Sequence, residues 1–241
     1  SDLSIWLKVD PLSDKYPSMS PYNYCANNPI KLIDPNGEDI YSINEDGNIT
    51  LCEGTNSKTD YFYWGEIKRN DKGQITNKFV TVNKEKAEYK SFTKTEGTVD
   101  IPIRKNVSYS RYDFNNSKDA ESIYNFIIDN DDLNGKSGAK NEWGLNIMSS
   151  NGKDFGILTS GGTPGEEAGA TAVSNWFTEN QSTKGLVWKS NNHNHPSSTT
   201  DPSTADTRYA ASVRTLQASP IQFILNPNKK KGDLYQKAIH Y

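Results

Sequence analysis

Asn192-His193-Asn194-His195-Pro196 and, a few residues on, Pro202-Ser203-Thr204-Ala205-Asp206 decide how this 241-residue chain is read. Written out, the pattern is His-x-His-x7-Ser-x-x-Asp, and it holds two of the chain's 3 histidines. Alternate residues of an extended segment point the same way, so His193 and His195 can offer imidazoles to one metal. Pro196 and Pro202 turn the chain back. Asp206, in the first turn of the next helix, then supplies a carboxylate as third ligand. Two imidazoles, one carboxylate and an open position suit a hydrolytic Zn²⁺. A plainer reading stands beside this one. Ser203-Thr204-Ala205-Asp206 spells the helix capping box, Ser/Thr-x-x-Asp/Glu, and a lone His-x-His on a polar loop is ordinarily a surface feature.

Working outward, strands and helices alternate irregularly around this stretch. Ser117 caps a helix over about 118–130 with Ile123, Phe126 and Ile127 on one face. Trp143 to Met148 and Phe155 to Leu158 read as strands joined by a turn at Asn151-Gly152. A helix over about 164–180, a strand at Gly185-Leu186-Val187-Trp188, a helix over 203–218 and closing strands at 221–225 and 234–240 complete an α+β domain over 115–241. Ahead of it, residues 40–112 read as β meander. Ile40 to Ile43 and Ile49 to Leu51 flank the hairpin signal Asp46-Gly47, and Tyr61 to Trp64 and Lys78 to Val82 flank Asp71-Lys72-Gly73. This stretch carries no chemistry and is expected to be a β-rich connector or an extension, over 40–114. Five prolines between residues 10 and 39 exclude a regular helix there.

Composition narrows the function. Lys+Arg 27 against Asp+Glu 30 gives a net charge of −3, which offers no global grip on nucleic acid. Hydrophobic residues make up only 33%, and mean hydropathy is −0.81. The 5 Trp, 13 Tyr and 8 Phe nevertheless supply large side chains for modest cores. No apolar run is long enough to span a bilayer, so a soluble chain without a membrane span is expected. Cys25 and Cys52 are too few for a disulfide scaffold and are expected as two buried thiols. The start, Ser1-Asp2-Leu3, has neither an initiator Met nor a signal-peptide pattern, which suggests a piece excised from a longer chain.

Two resemblances follow from these residues. Asp10-Pro11-Leu12, Tyr16-Pro17, Ser20-Pro21-Tyr22-Asn23-Tyr24, Asn27-Asn28-Pro29 and Asp34-Pro35-Asn36-Gly37 closely resemble the conserved end of the RHS-repeat-associated core of bacterial polymorphic toxins. The resemblance implies that residues 1–39 close a repeat-built shell and that a variable effector domain follows. The His-x-His-x7-Ser-x-x-Asp pattern resembles the JAMM signature of JAB/MPN-domain metallopeptidases over roughly residues 115–241. That signature includes an upstream glutamate on a strand, and Glu142-Trp143-Gly144 fits it. The resemblance implies that His193, His195 and Asp206 bind Zn²⁺. It also makes Glu142 the group that takes a proton from the attacking water, and Ser203 the donor to the developing oxyanion. Glu166 and Glu167 are rivals to Glu142, although Thr163-Pro164-Gly165-Glu166 is better explained as helix punctuation.

The expected function is therefore zinc-dependent hydrolysis of a peptide or isopeptide bond in a protein of a target cell. The chain would be delivered there as part of a secreted toxin, and a cognate immunity protein is the implied partner. One alternative is a catalytically silent MPN-like module that binds a protein. The other is a metal-dependent nuclease. His193-Asn194-His195 does spell HNH, but that nuclease spreads its residues over a ββα unit and needs a basic surface. Lys229-Lys230-Lys231 beside Gly232 reads as a solvated turn.

Overall fold

A computed structural model describes residues 39–54, 58–86, 89–102, 104–130, 141–161, 168–195, 202–227 and 239–240. The expected RHS-like segment, Cys25, Glu166, Glu167 and Lys229 to Lys231 lie outside the described residues. Among the described residues the architecture is α+β, as expected, with two sheets and three helices.

The first four strands are β1 (Asp39–Ile43), β2 (Ile49–Glu53), β3 (Thr59–Trp64) and β4 (Phe79–Asn83), arranged in the order β2-β1-β3-β4. Both sequence-read hairpins form: β1 pairs antiparallel with β2, and β3 with β4. The meander expectation fails at their junction, because β1 and β3 run parallel. Buried Asp60 on β3 holds that junction. Lys84 bonds it at 2.8 Å and reaches Asp39 of β1 at 3.1 Å, while the Ser91 hydroxyl also donates to Asp60.

The second sheet contains β5 (Phe92–Ile101), β6 (Arg104–Phe114), β7 (Trp143–Ser150), β8 (Lys153–Ser160), β9 (Leu186–His195), β10 (Gln222–Pro227) and β11 (Ile239–His240), in the order β11-β10-β9-β7-β8-β6-β5. Helix α1 (Ser117–Asn130) follows β6, α2 (Ala168–Lys184) follows β8, and α3 (Thr204–Val213) follows β9. The central strand β7 is buried along almost all its length. The edge strand β5 is exposed or half-buried throughout, so its sequence lacks the apolar run that a central strand shows. The helix expected over 203–218 stops at Val213 and gives way to a 3₁₀ turn at Arg214–Leu216.

Alternation along β7 and β8 sends neighbouring side chains into two cores. On one face, Leu145 and Leu158 pack with Ile123, Tyr124 and Ile127 of α1 and with Ile43, Ile49 and Phe62 of the first sheet. Phe126, expected on the same helix face, is only partly buried, and Tyr124 and Ile128 take its place. On the other face, Met148, Ile157 and Trp188 pack with Val173 and Phe177 of α2 and with Ala210 and Val213 of α3. Helix α2 can lie this close because its first turn is small. A Cβ on Gly169 would stand 2.5 Å from the Thr159 Cβ. Each fully buried aliphatic or aromatic side chain contributes about 1.5–3 kcal/mol.

Tyr112 fastens the two sheets together. Its hydroxyl accepts from the Ile49 N–H at 2.9 Å and donates to the Gly47 carbonyl at 3.3 Å, inside the shared core. Cys52, contrary to expectation, is exposed on β2. No helix among the described residues is long and apolar enough to cross a membrane. Tyr112→Phe keeps the ring but strands a buried N–H, and is expected to cost about 1–3 kcal/mol. Urea unfolding checks this. An unchanged midpoint would show that the hydroxyl does not join the sheets.

Candidate metal centre

The centre forms where β9 ends and α3 begins. Strand β9 lies between β7 and β10, antiparallel to the first and parallel to the second. His193 and His195, two residues apart near its end, bring their rings to 5.2 Å between centroids. Ser203, with an extended backbone (φ −70°, ψ 167°), is the N-cap of α3. Its Oγ accepts from the Asp206 N–H at 3.1 Å, and its own N–H donates back to Asp206 Oδ2. The capping box is therefore real, and it aims the carboxylate. Asp206 Oδ2 lies 3.0 Å from His195 Nε2, and Oδ1 lies 3.5 Å from His193 Nε2.

Glu142 arrives from the other side, one residue before β7. One donor atom each from Glu142, His193, His195 and Asp206 all lie within 4.8 Å of one another. These residues are 7, 3, 7 and 2% exposed. Burial pushes the Asp206 carboxyl up, but the neighbouring His193 and His195 imidazoles, and then the Ser203 N–H, outweigh it and hold the group well below the usual carboxylate range. The donor set passes a simple fit test. Nitrogen and oxygen ligands about 2.0–2.2 Å from a tetrahedral zinc stand about 3.4 Å apart, close to the two His–Asp spacings. The chemistry also fits, since two imidazoles with carboxylates are ligands of borderline hardness. A small recess beside Glu142 and His193 is lined by Gly144, Thr159, Gly169 and Ala170, so the backbone comes close to the centre there.

Residues 112–234 match the protein family described as JAB-like toxin 1, just over half of the chain. The chain belongs to the JAB-like toxin 1 family. No curated protein and no solved structure is significantly similar to it. The JAB-like toxin segment contains all four clustered residues and Ser203, whereas β1 to β5 and most of β6 precede it.

The structure thus brings together Glu142, His193, His195 and Asp206 of this JAB-like toxin, with Ser203 capping the helix that carries the last of them. Sequence reading passed over Asn141, Ser160 and Asn194. The Asn141 amide donates to Ser160 Oγ at 2.6 Å, and Asn194 Oδ1 accepts from the Trp143 N–H at 2.7 Å, both in buried surroundings. Their only signal was position, since each asparagine adjoins a residue already singled out. Ser203→Ala is expected to cost about 1 kcal/mol through loss of the cap, and Ser203→Gly only a few tenths. Denaturant titration of both variants checks the ranking. Negligible costs in both would mean that the cap contributes nothing.

Proposed function

We propose that this chain is a zinc-dependent hydrolase that cleaves a peptide or isopeptide bond in a protein of a target cell. It acts as the effector end of an RHS-type polymorphic toxin. The observation that carries the reading is the buried convergence of two imidazoles and two carboxylates within 4.8 Å in a JAB-like toxin. Residues 115–241 form the catalytic unit, 40–114 its β-rich extension, and 1–39 the close of the RHS core. Delivery into another cell and a cognate immunity protein belong to the same proposal.

His193, His195 and Asp206 are the ligands in this reading. Zinc in such a site supplies Lewis acidity, which makes water a competent nucleophile near neutral pH and polarises the scissile carbonyl. Glu142 takes the proton of the attacking water and returns it to the leaving amine, a service worth roughly 10²–10⁴ in rate. The cap uses the Ser203 oxygen as acceptor, so the hydroxyl proton is the part offered to the developing oxyanion. No side chain attacks the carbonyl, and no covalent enzyme intermediate forms. The slightly acidic net charge of −3 disfavours a nuclease, which must approach a polyanion.

Elemental analysis and peptide-library hydrolysis test the proposal together. Wild type is expected to hold a single zinc per chain, and the double variant His193→Ala, His195→Ala none. Glu142→Gln should keep the metal and lose roughly 10²–10⁴ in kcat. Ser203→Gly, which removes the hydroxyl at little cost in stability, should keep the metal and lose roughly 10²–10³. Wild type that neither retains nor takes up zinc would overturn the hydrolase and leave a protein-binding module.

A further inference from the structure

Glu142 is set between two buried amide side chains, and a turn from the first sheet presses on one of them. Strands β7 and β9 are paired as far as Gly144 opposite His193. One residue further on, the Trp143 N–H is taken by the Asn194 side chain at 2.7 Å. That N–H shares its peptide plane with the Glu142 carbonyl, so Asn194 fixes the plane from which Glu142 departs. It does so from between the two histidines, and is itself fully buried. On the other side of Glu142, the Asn141 amide is bonded to Ser160 Oγ at the end of β8 at 2.6 Å, with both residues at most 2% exposed.

Gly47, at the tip of the β1–β2 hairpin, lies directly against this second bond. Its φ is +82°, and a Cβ there would stand 1.8 Å from Asn141 Nδ2 and 1.9 Å from Ser160 Oγ. Nothing larger than glycine fits without displacing them. Tyr112 holds the same tip through the Gly47 carbonyl and the Ile49 N–H.

We infer that Asn194, Asn141 with Ser160, and the Gly47 turn are positioning elements for Glu142. The four-stranded sheet, which precedes the family-matched segment, thereby completes the catalytic centre. The inference rests on Glu142 as the base. A general base must be held to within about 0.5 Å of its productive place, and a misplacement of about 1 Å costs on the order of 10²-fold in rate.

The test uses the full chain and three variants. Asn194→Ala removes the acceptor for Trp143, and Gly47→Ala drives a methyl into the Asn141–Ser160 bond. Gly152→Ala is the control, because Gly152 has a similar φ of +77° with nothing within 4 Å of a Cβ. Amide hydrogen exchange at Trp143, followed by NMR on tryptophan-labelled protein with and without zinc, is expected to speed up at least about 10-fold in the first two variants and not in the control. Their kcat should fall roughly 10- to 100-fold at unchanged KM and unchanged zinc content. In a Glu142→Gln background the same changes should have no further effect on residual activity, since they act through Glu142. Should Gly47→Ala fail to fold, Ser160→Ala adds no atom and carries the same expectation.

Unaltered Trp143 exchange in Asn194→Ala would overturn the clamp. An equal loss of activity with and without Glu142 would also overturn it, by reducing these residues to general structural support. A wild type without hydrolase activity would sink the functional reading while leaving the exchange measurement to judge the clamp.

Discussion

The arrangement hangs on the Asp206 carboxylate, which is 2% exposed and yet held in its ionised form. A lone carboxylate in such a place would take up a proton instead of staying charged. Here the Ser203 N–H meets one oxygen, two imidazoles lie opposite, and the positive end of α3 favours the charge. The cap also sets the helix phase. Starting α3 one residue later would turn the side chain by about 100° away from β9.

Stability and chemistry are kept in different parts of the seven-stranded sheet. Its middle is apolar on both faces, with α1 and the small sheet covering one side and α2 and α3 the other. Its polar residues gather at one end, where β7 begins and β8 and β9 finish. The buried pair Asn191–Asn146, bonded at 2.8 Å, lies one step inside the candidate metal centre and continues the polar network into the sheet. Small residues at Gly144, Gly169 and Ala170 let backbones crowd that end.

Local signals in the sequence are the ones that translate into structure. Asp46-Gly47 and Asn151-Gly152 mark hairpins because a left-handed φ favours glycine, which appears at Gly47 and Gly152. The α3 cap is visible because its determinants lie within one turn, and α1 is visible too, although Asn116 and not Ser117 caps it: the Asn116 Oδ1 accepts from the Lys118 N–H at 2.9 Å. The parallel pairing of β1 with β3 has no local determinant, since either order of two hairpins satisfies the same alternation. The long β5–β6 hairpin is obscured by its exposed edge strand. Within the centre, His193, His195 and Asp206 share one short segment and could be read by spacing alone. Glu142 needed a family resemblance, because only tertiary structure brings it near. Asn194 is the x of the His-x-His pattern, and nothing in the sequence reveals that its amide continues a strand ladder.

The distances along the chain matter as well as those in space. The bond from Trp143 to Asn194 joins residues 51 apart, and that from Ile49 to Tyr112 residues 63 apart. Contacts of this kind require loop closure before they give any return, so a fold rich in them is slow to form. An extended chain has Glu142 far from His193 and His195, so the four-residue cluster exists only once the chain is folded. The cluster is thus a late product of folding, and whatever loosens the long-range architecture disperses its four side chains together.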